Sequence, residues 1–190
     1  MVISFISIMC MAVSALVSIG VPIALLFIFR KRNGAKVIPA LVGAASFVVF
    51  AMMLEQVMHL LILKPDADGS TWLSAYPLGY MLYGSLAAGI FEETGRFLSF
   101  KLLRKRYSGM QTALSYGVGH GGIEAILVGG VSMISTIATS IMVNGGNAAA
   151  LTEGAGSEMV ARQLQAIAET RSAMFLVAGA ERMFALAIHI

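Results

Sequence analysis

The sequence predicts an all-α, polytopic transmembrane helical bundle, and three observations predict it. Of the 190 residues, 58% are apolar and only 12% charged, where soluble domains are about half apolar and about a quarter charged. Five apolar stretches approach or exceed the roughly 20 residues needed to cross a bilayer. Short basic clusters also alternate with an acidic, turn-rich loop, the pattern that sets orientation in a membrane. One domain of about five spans, over residues 1–190, accounts for all three. The net charge of +3, from 13 Lys and Arg against 10 Asp and Glu, sits largely in two short loops. It reports orientation and gives no reason to expect nucleic acid as a partner. Cys10 is the single cysteine, so neither an intramolecular disulfide nor a cysteine-based metal site is available.

The first span covers residues 2–29, with Pro22 placed to kink it, and ends at Arg30, Lys31 and Arg32, cations that mark the cytoplasmic side. No basic residue precedes its apolar run, which is far longer than the core of an export signal, so it stays as an anchor. Residues 37–63 form the second span and give way to the stretch 64–70, where Pro65, Asp66, Asp68 and Gly69 break the helix and supply an outside loop. A third span, 76–103, finishes in Lys101, Arg104, Lys105 and Arg106, which brings the chain inside again. The fourth, 110–141, is long enough to tilt or break, and Gly117, Gly119, Gly121, Gly122, Gly129 and Gly130 permit close helix packing along it. After Asn144 comes a polar segment in which Val160, Leu164 and Ile167 recur at helical spacing, an amphipathic helix over 158–171 on the outer surface. The fifth span, 173–190, rises about 27 Å, slightly short of a bilayer core of about 30 Å; a truncated chain with a further helix to follow is the expectation. Both basic clusters are satisfied by an outside N-terminus.

Ionisable side chains inside the spans are expensive and default to a functional reading. In the third span Glu92 and Glu93 stand four and three residues before Arg96, within reach of it on a helix. One glutamate would suffice to hide an arginine. Two adjacent ones point about 100° apart, so the second needs another partner, and two carboxylates beside a cation suit general base work. The fourth span adds His120 and Glu124 one turn apart on one face, with Tyr116 a turn before; flanking glycines leave room for a water, a metal or a substrate backbone. In the fifth, Arg182 and His189 share a face, while Glu181 and Arg182 read as a charge pair near the outer helix end. At about 1.5 Å per residue Glu92 lies about 13 Å before Lys101, His120 about 15 Å after Met110 and His189 about 24 Å from Ala173. All three then fall between mid-bilayer and its cytoplasmic half. Glu55 and His59, another i,i+4 pair, come about 27 Å beyond Val37 and are assigned to the outer rim.

Paired glutamates followed by an arginine, an aromatic separated by three residues from a histidine, and a histidine on a later helix resemble the intramembrane proteases of the CAAX-protease and bacteriocin-processing superfamily (CPBP, PrsW-like). They resemble most closely its YhfC-type family of bacterial intramembrane metalloproteases. Here the motifs are Glu92, Glu93 and Arg96; Tyr116 and His120; and His189, all between residues 76 and 190. Only two residues separate Glu93 from Arg96, where the broader superfamily has three. The resemblance implies an intramembrane endopeptidase of the bacterial cytoplasmic membrane acting on a membrane protein or lipidated peptide. Glu92 or Glu93 would serve as base, Arg96 would hold a glutamate ionised, and His120 and His189 would act as ligands or oxyanion donors, supported by Tyr116 and Glu124. Zinc held by His120, His189 and a glutamate, assigned as Glu93, is one route. A metal-free route in which a glutamate deprotonates water is the other. A buried carboxylate–histidine chain also fits an ion or proton transporter, although the sequence lacks the internal repeat common in transporters, and a non-catalytic scaffold is the third reading.

Overall fold

A computed structural model describes residues 2–66, 69–152 and 157–190. Ala67 and Asp68 of the expected acidic loop, and residues 153–156 of the polar segment, lie outside the described residues. Seven helices and no strand occur among those described: α1 Phe5–Asn33, α2 Val37–Leu63, α3 Pro77–Leu103, α4 Met110–Asn144, α5 Ala148–Leu151, α6 Ser157–Glu169 and α7 Ser172–His189. Helices α1, α2, α4 and α7 are long and apolar enough to cross a membrane. With 27 residues α3 is about 40 Å long, but Glu92, Glu93, Arg96 and Lys101 lower its hydropathy, so four spans qualify on composition where about five were expected.

Local signals explain the helix ends. Ser4 caps α1, its hydroxyl accepting from the backbone N–H of Ser7 at 3.0 Å, which satisfies one of the unpaired N–H groups of a first turn. Gly34 ends the same helix with φ +68°, a left-handed cap that glycine adopts without Cβ strain. Inside α2 and α4 the helix widens to π geometry over Phe47–Glu55 and Ala125–Val131, so both long helices continue where a break was conceivable.

Successive helices run between two ends of the bundle. At one end Lys36 donates its backbone N–H to Ser115 Oγ at 2.8 Å and its Nζ lies 5.6 Å over the Tyr107 ring, so the two basic turns are neighbours. At the other, Asn144 clasps the start of the chain, accepting from Ile3 N–H and donating to Ile3 O, each at 2.8 Å. Ile3, Met11, Val143, Leu164 and Phe175 form an apolar cluster at this end. Val160, Leu164 and Ile167 of α6 turn towards it, so the amphipathic helix seals the bundle end. Elsewhere the distribution is inverted: Leu16, Phe27, Leu86 and Phe184 are exposed while Ser14, Ser18, Ser46 and Ser115 are buried, as expected of helices whose solvent is lipid and whose seams are built from small residues.

Helix α4 is the hub, and its glycines serve different neighbours. A Cβ at Gly119 would strike the backbone of Ala40 in α2, at Gly122 it would meet Pro22 of α1, and at Gly117 and Gly121 it would strike His189 and Leu186 of α7. The expectation of close packing is met on every side, and one of these contacts seats a site residue.

Candidate functional site

His120 is fully buried on α4, and its neighbours fix its tautomer. Tyr116 Oη donates to Ser46 Oγ at 3.1 Å and lies 3.3 Å from His120 Nδ1. The single phenolic proton is thus used on Ser46, and Nδ1–H of His120 donates to Oη. Nε2 is left with a lone pair, buried and without a partner among the described residues, although unpaired buried polar atoms are costly. The Phe47 ring stands edge-on to the imidazole at 5.4 Å and holds its plane.

His189 ends α7 with its ring centroid 4.5 Å from that of His120. Gly117 and Gly121 provide the space for this approach. Arg96 Nη2 donates to His189 Nδ1 at 3.0 Å. Because a guanidinium only donates, the ring proton sits on Nε2 and donates to Glu124 Oε2 at 3.0 Å. Glu124 Oε1 in turn accepts from Arg182 Nη1 at 2.7 Å, and Arg182 Nη2 also reaches Glu181. Carboxylate–histidine pairing of this kind orients imidazole ligands in metal sites.

Glu92 completes the group, its Oε2 3.9 Å from His189 Nε2. One ligand atom each from Glu92, His120 and His189 lie within 4.8 Å of one another. These residues fit a divalent metal: two imidazoles and a carboxylate match the donor set of catalytic zinc sites, and the orphaned lone pair of His120 has no partner among the described residues. Ligation through His189 Nδ1 requires Arg96 to leave that nitrogen, and Glu93 Oε1, 2.8 Å from Arg96 Nη1, is ready to retain it.

The expected residues therefore separate into two groups. Glu92, His120 and His189 converge, with Tyr116 behind His120. Glu93, expected as the carboxylate ligand, points away with its side chain 65% exposed, because adjacent helical residues diverge; the carboxylate that lies near both imidazoles is that of Glu92. Glu124 supports His189 instead of its own helix neighbour His120. Arg182 is no mere outer charge pair, since it reaches inward to Glu124; its seven-residue spacing from His189 was the available signal. Ser46 and Phe47 were missed altogether, because a serine and a phenylalanine in an apolar span carry no mark of what they will touch. Glu55 and His59 do pair, at 3.2 Å, and His59 Nδ1 meets Tyr83 Oη at 3.0 Å.

The sequence model of the family described as YhfC intramembrane metalloprotease matches residues 14–190. A protein of Bacillus subtilis (strain 168) described as "Uncharacterized membrane protein YhfC" is 34% identical over 181 residues, which cover 95% of this chain and 70% of that protein. No solved structure matches the chain. A match over nearly the whole length, together with apolar helices of spanning length, makes this a membrane protein that belongs to the YhfC intramembrane metalloprotease family.

Proposed function

We propose that the protein is an intramembrane endopeptidase of the bacterial cytoplasmic membrane, with its basic end in the cytoplasm, its N-terminus outside, and a membrane protein or lipidated peptide as substrate. The observation that carries the proposal is the unpartnered, buried Nε2 of His120 beside Glu92 and His189. Glu92, His120 and His189 would hold zinc. When bound there, zinc supplies a Lewis acid that polarises a carbonyl and brings water towards ionisation near neutral pH.

The remaining chemistry belongs to the chain. Tyr116 and Ser46 keep the His120 lone pair aimed inward, and Glu124, anchored by Arg182, sets the ring of His189. Glu93 stands on a face of α3 with Arg96, Phe97, Phe100, Lys101 and Arg104, along which an extended peptide segment would lie. Rotated in from its exposed position beside Arg96, Glu93 would take a proton from the attacking water and return it to the departing amide nitrogen as the C–N bond breaks, giving a carboxylic acid and an amine. Cleavage of a membrane-embedded peptide by the protein in proteoliposomes tests the reading. Glu93→Gln should lower turnover by about 10²–10⁴-fold and His120→Ala should abolish it; unchanged turnover in both would end the assignment.

A further inference from the structure

The basic end of the bundle carries charge that its own helices do not balance. Neither residues 1–54 nor residues 94–123 include an Asp or Glu, yet Arg30, Lys31, Arg32 and Lys36 fall in the first stretch and Lys101, Arg104, Lys105 and Arg106 in the second. Two of these cations continue the line of the candidate site. Glu93, Phe97, Lys101 and Arg104 follow one another at spacings of four, four and three residues, one stripe along α3, and with Arg96 and Phe100 they line a single open face. Glu93 Oε1 pairs with Arg96 Nη1 at 2.8 Å. Lys101 and Arg104 are exposed and have no acidic partner among the described residues. Between the two ends Phe97 is exposed and Phe100 is held against the Tyr116 ring at 4.8 Å. The face thus leads from a carboxylate, over two aromatic rings, to two unbalanced cations. Orientation in the membrane asks for cations only somewhere on this end, whereas an acidic partner lying along the stripe complements these two in particular.

We propose that this face selects a substrate segment by an acidic side chain, received by Lys101 and Arg104, with apolar residues laid over Phe97 and Phe100. Lys101 and Arg104 come eight and eleven residues after Glu93, about 12 and 16 Å along the helix, and an extended peptide advances about 3.3 Å per residue. The Asp or Glu therefore stands about four or five residues to the cytoplasmic side of the bond to be cleaved. That register rests on the hydrolase reading; the charge preference does not. Synthetic peptides with an apolar core and Asp, Asn or Lys at one scanned position are offered to the protein in phosphatidylcholine nanodiscs. Anisotropy of a labelled peptide reads binding to the His120→Ala chain, and initial rates read cleavage by the unaltered chain. The Asp peptide should bind about five- to tenfold more tightly than the Asn peptide, as exposed ion pairs allow, and the advantage should shrink in about 0.5 M salt. Lys101→Gln/Arg104→Gln should bring the ratio to about one, and Lys101→Glu/Arg104→Glu should transfer the preference to the Lys peptide. Lys31→Gln/Arg32→Gln, off this face, should keep it. Equal binding of the Asp and Asn peptides, or a preference that survives Lys101→Gln/Arg104→Gln, would overturn the proposal. So would loss of co-purified anionic phospholipid from that variant with peptide binding unchanged, which would assign the two cations to the membrane. Cleavage of Asp and Asn peptides alike leaves the hydrolase and removes the acidic selection; selective binding with no cleavage of any peptide does the reverse.

Discussion

Substitution of Gly121 by alanine isolates the contact that seats His189. The added Cβ would lie 3.0 Å from His189 Cβ and Cδ2 and 3.1 Å from Leu186 Cα, where carbon atoms at rest stand about 3.5–4.0 Å apart. Helix α7 must therefore yield by a few tenths of an ångström, a sizeable part of the roughly 1 Å misplacement that can cost about 10²-fold in a catalytic arrangement. Two further glycines calibrate the effect. At Gly119 the Cβ would come within 2.6 and 2.7 Å of Ala40 C and Cα; backbone has no rotamer to escape into, and overpacking of this kind costs about 1–3 kcal/mol. Gly20 has no atom within 4 Å of its Cβ position, so alanine there should be neutral or stabilise by up to about 1 kcal/mol through helix propensity. Reversible unfolding in mixed micelles measures stability, while elemental analysis and turnover in proteoliposomes measure the site. Expected are a site defect of about 10–100-fold with near-normal stability for Gly121→Ala, a stability defect for Gly119→Ala, and neither for Gly20→Ala. Wild-type metal affinity and turnover in Gly121→Ala, or Gly119→Ala as stable as Gly20→Ala, would refute the reasoning.

Elemental analysis of purified variants separates the two glutamates: Glu92→Gln should lose the bound divalent ion and Glu93→Gln should retain it, and the reverse result would return Glu93 to the ligand set. Glu124→Gln leaves Arg182 with only Glu181 and should destabilise the protein by roughly 3 kcal/mol, read in the same unfolding assay; a change below measurement error would show the pair to be solvated. Asn144→Ala removes both hydrogen bonds of the clasp on Ile3 and should cost about 1–3 kcal/mol, accompanied by faster hydrogen exchange at Ile3.

The fold was legible because each span had its own length, terminator and charge. Arg30 to Arg32, and Lys101 with Arg104 to Arg106, mark ends that the structure keeps to within a few residues. Depth arithmetic was enough to bring Glu92, His120 and His189 together, since rise per residue is the one tertiary coordinate a straight membrane helix reveals. Rotation about the helix axis was not available, so Glu92 and Glu93 could not be told apart, nor could Glu124 be assigned to His189 in place of His120. The role of α2 was invisible for a different reason: Ser46 and Phe47 act through contacts with Tyr116 and His120 that only a folded neighbour defines. Glu55 and His59 were assigned to the outer rim, and depth alone could not reveal that His59 also meets Tyr83 of α3.

The two halves of the candidate site are mounted differently. His120 and His189 sit on helices whose backbones touch through glycine, whereas α3 packs chiefly on α2 and reaches α4 and α7 through long side chains, Phe100 on Tyr116 and Arg96 on His189. Stiffness thus resides in the imidazole pair, and the adjustable coordinate is the docking of α3. By linkage, anything that bridges the halves stabilises that docking by RT ln(1 + [L]/Kd). The protection of α3 amides against exchange then becomes a gauge of occupancy, graded with concentration and readable without a substrate in hand.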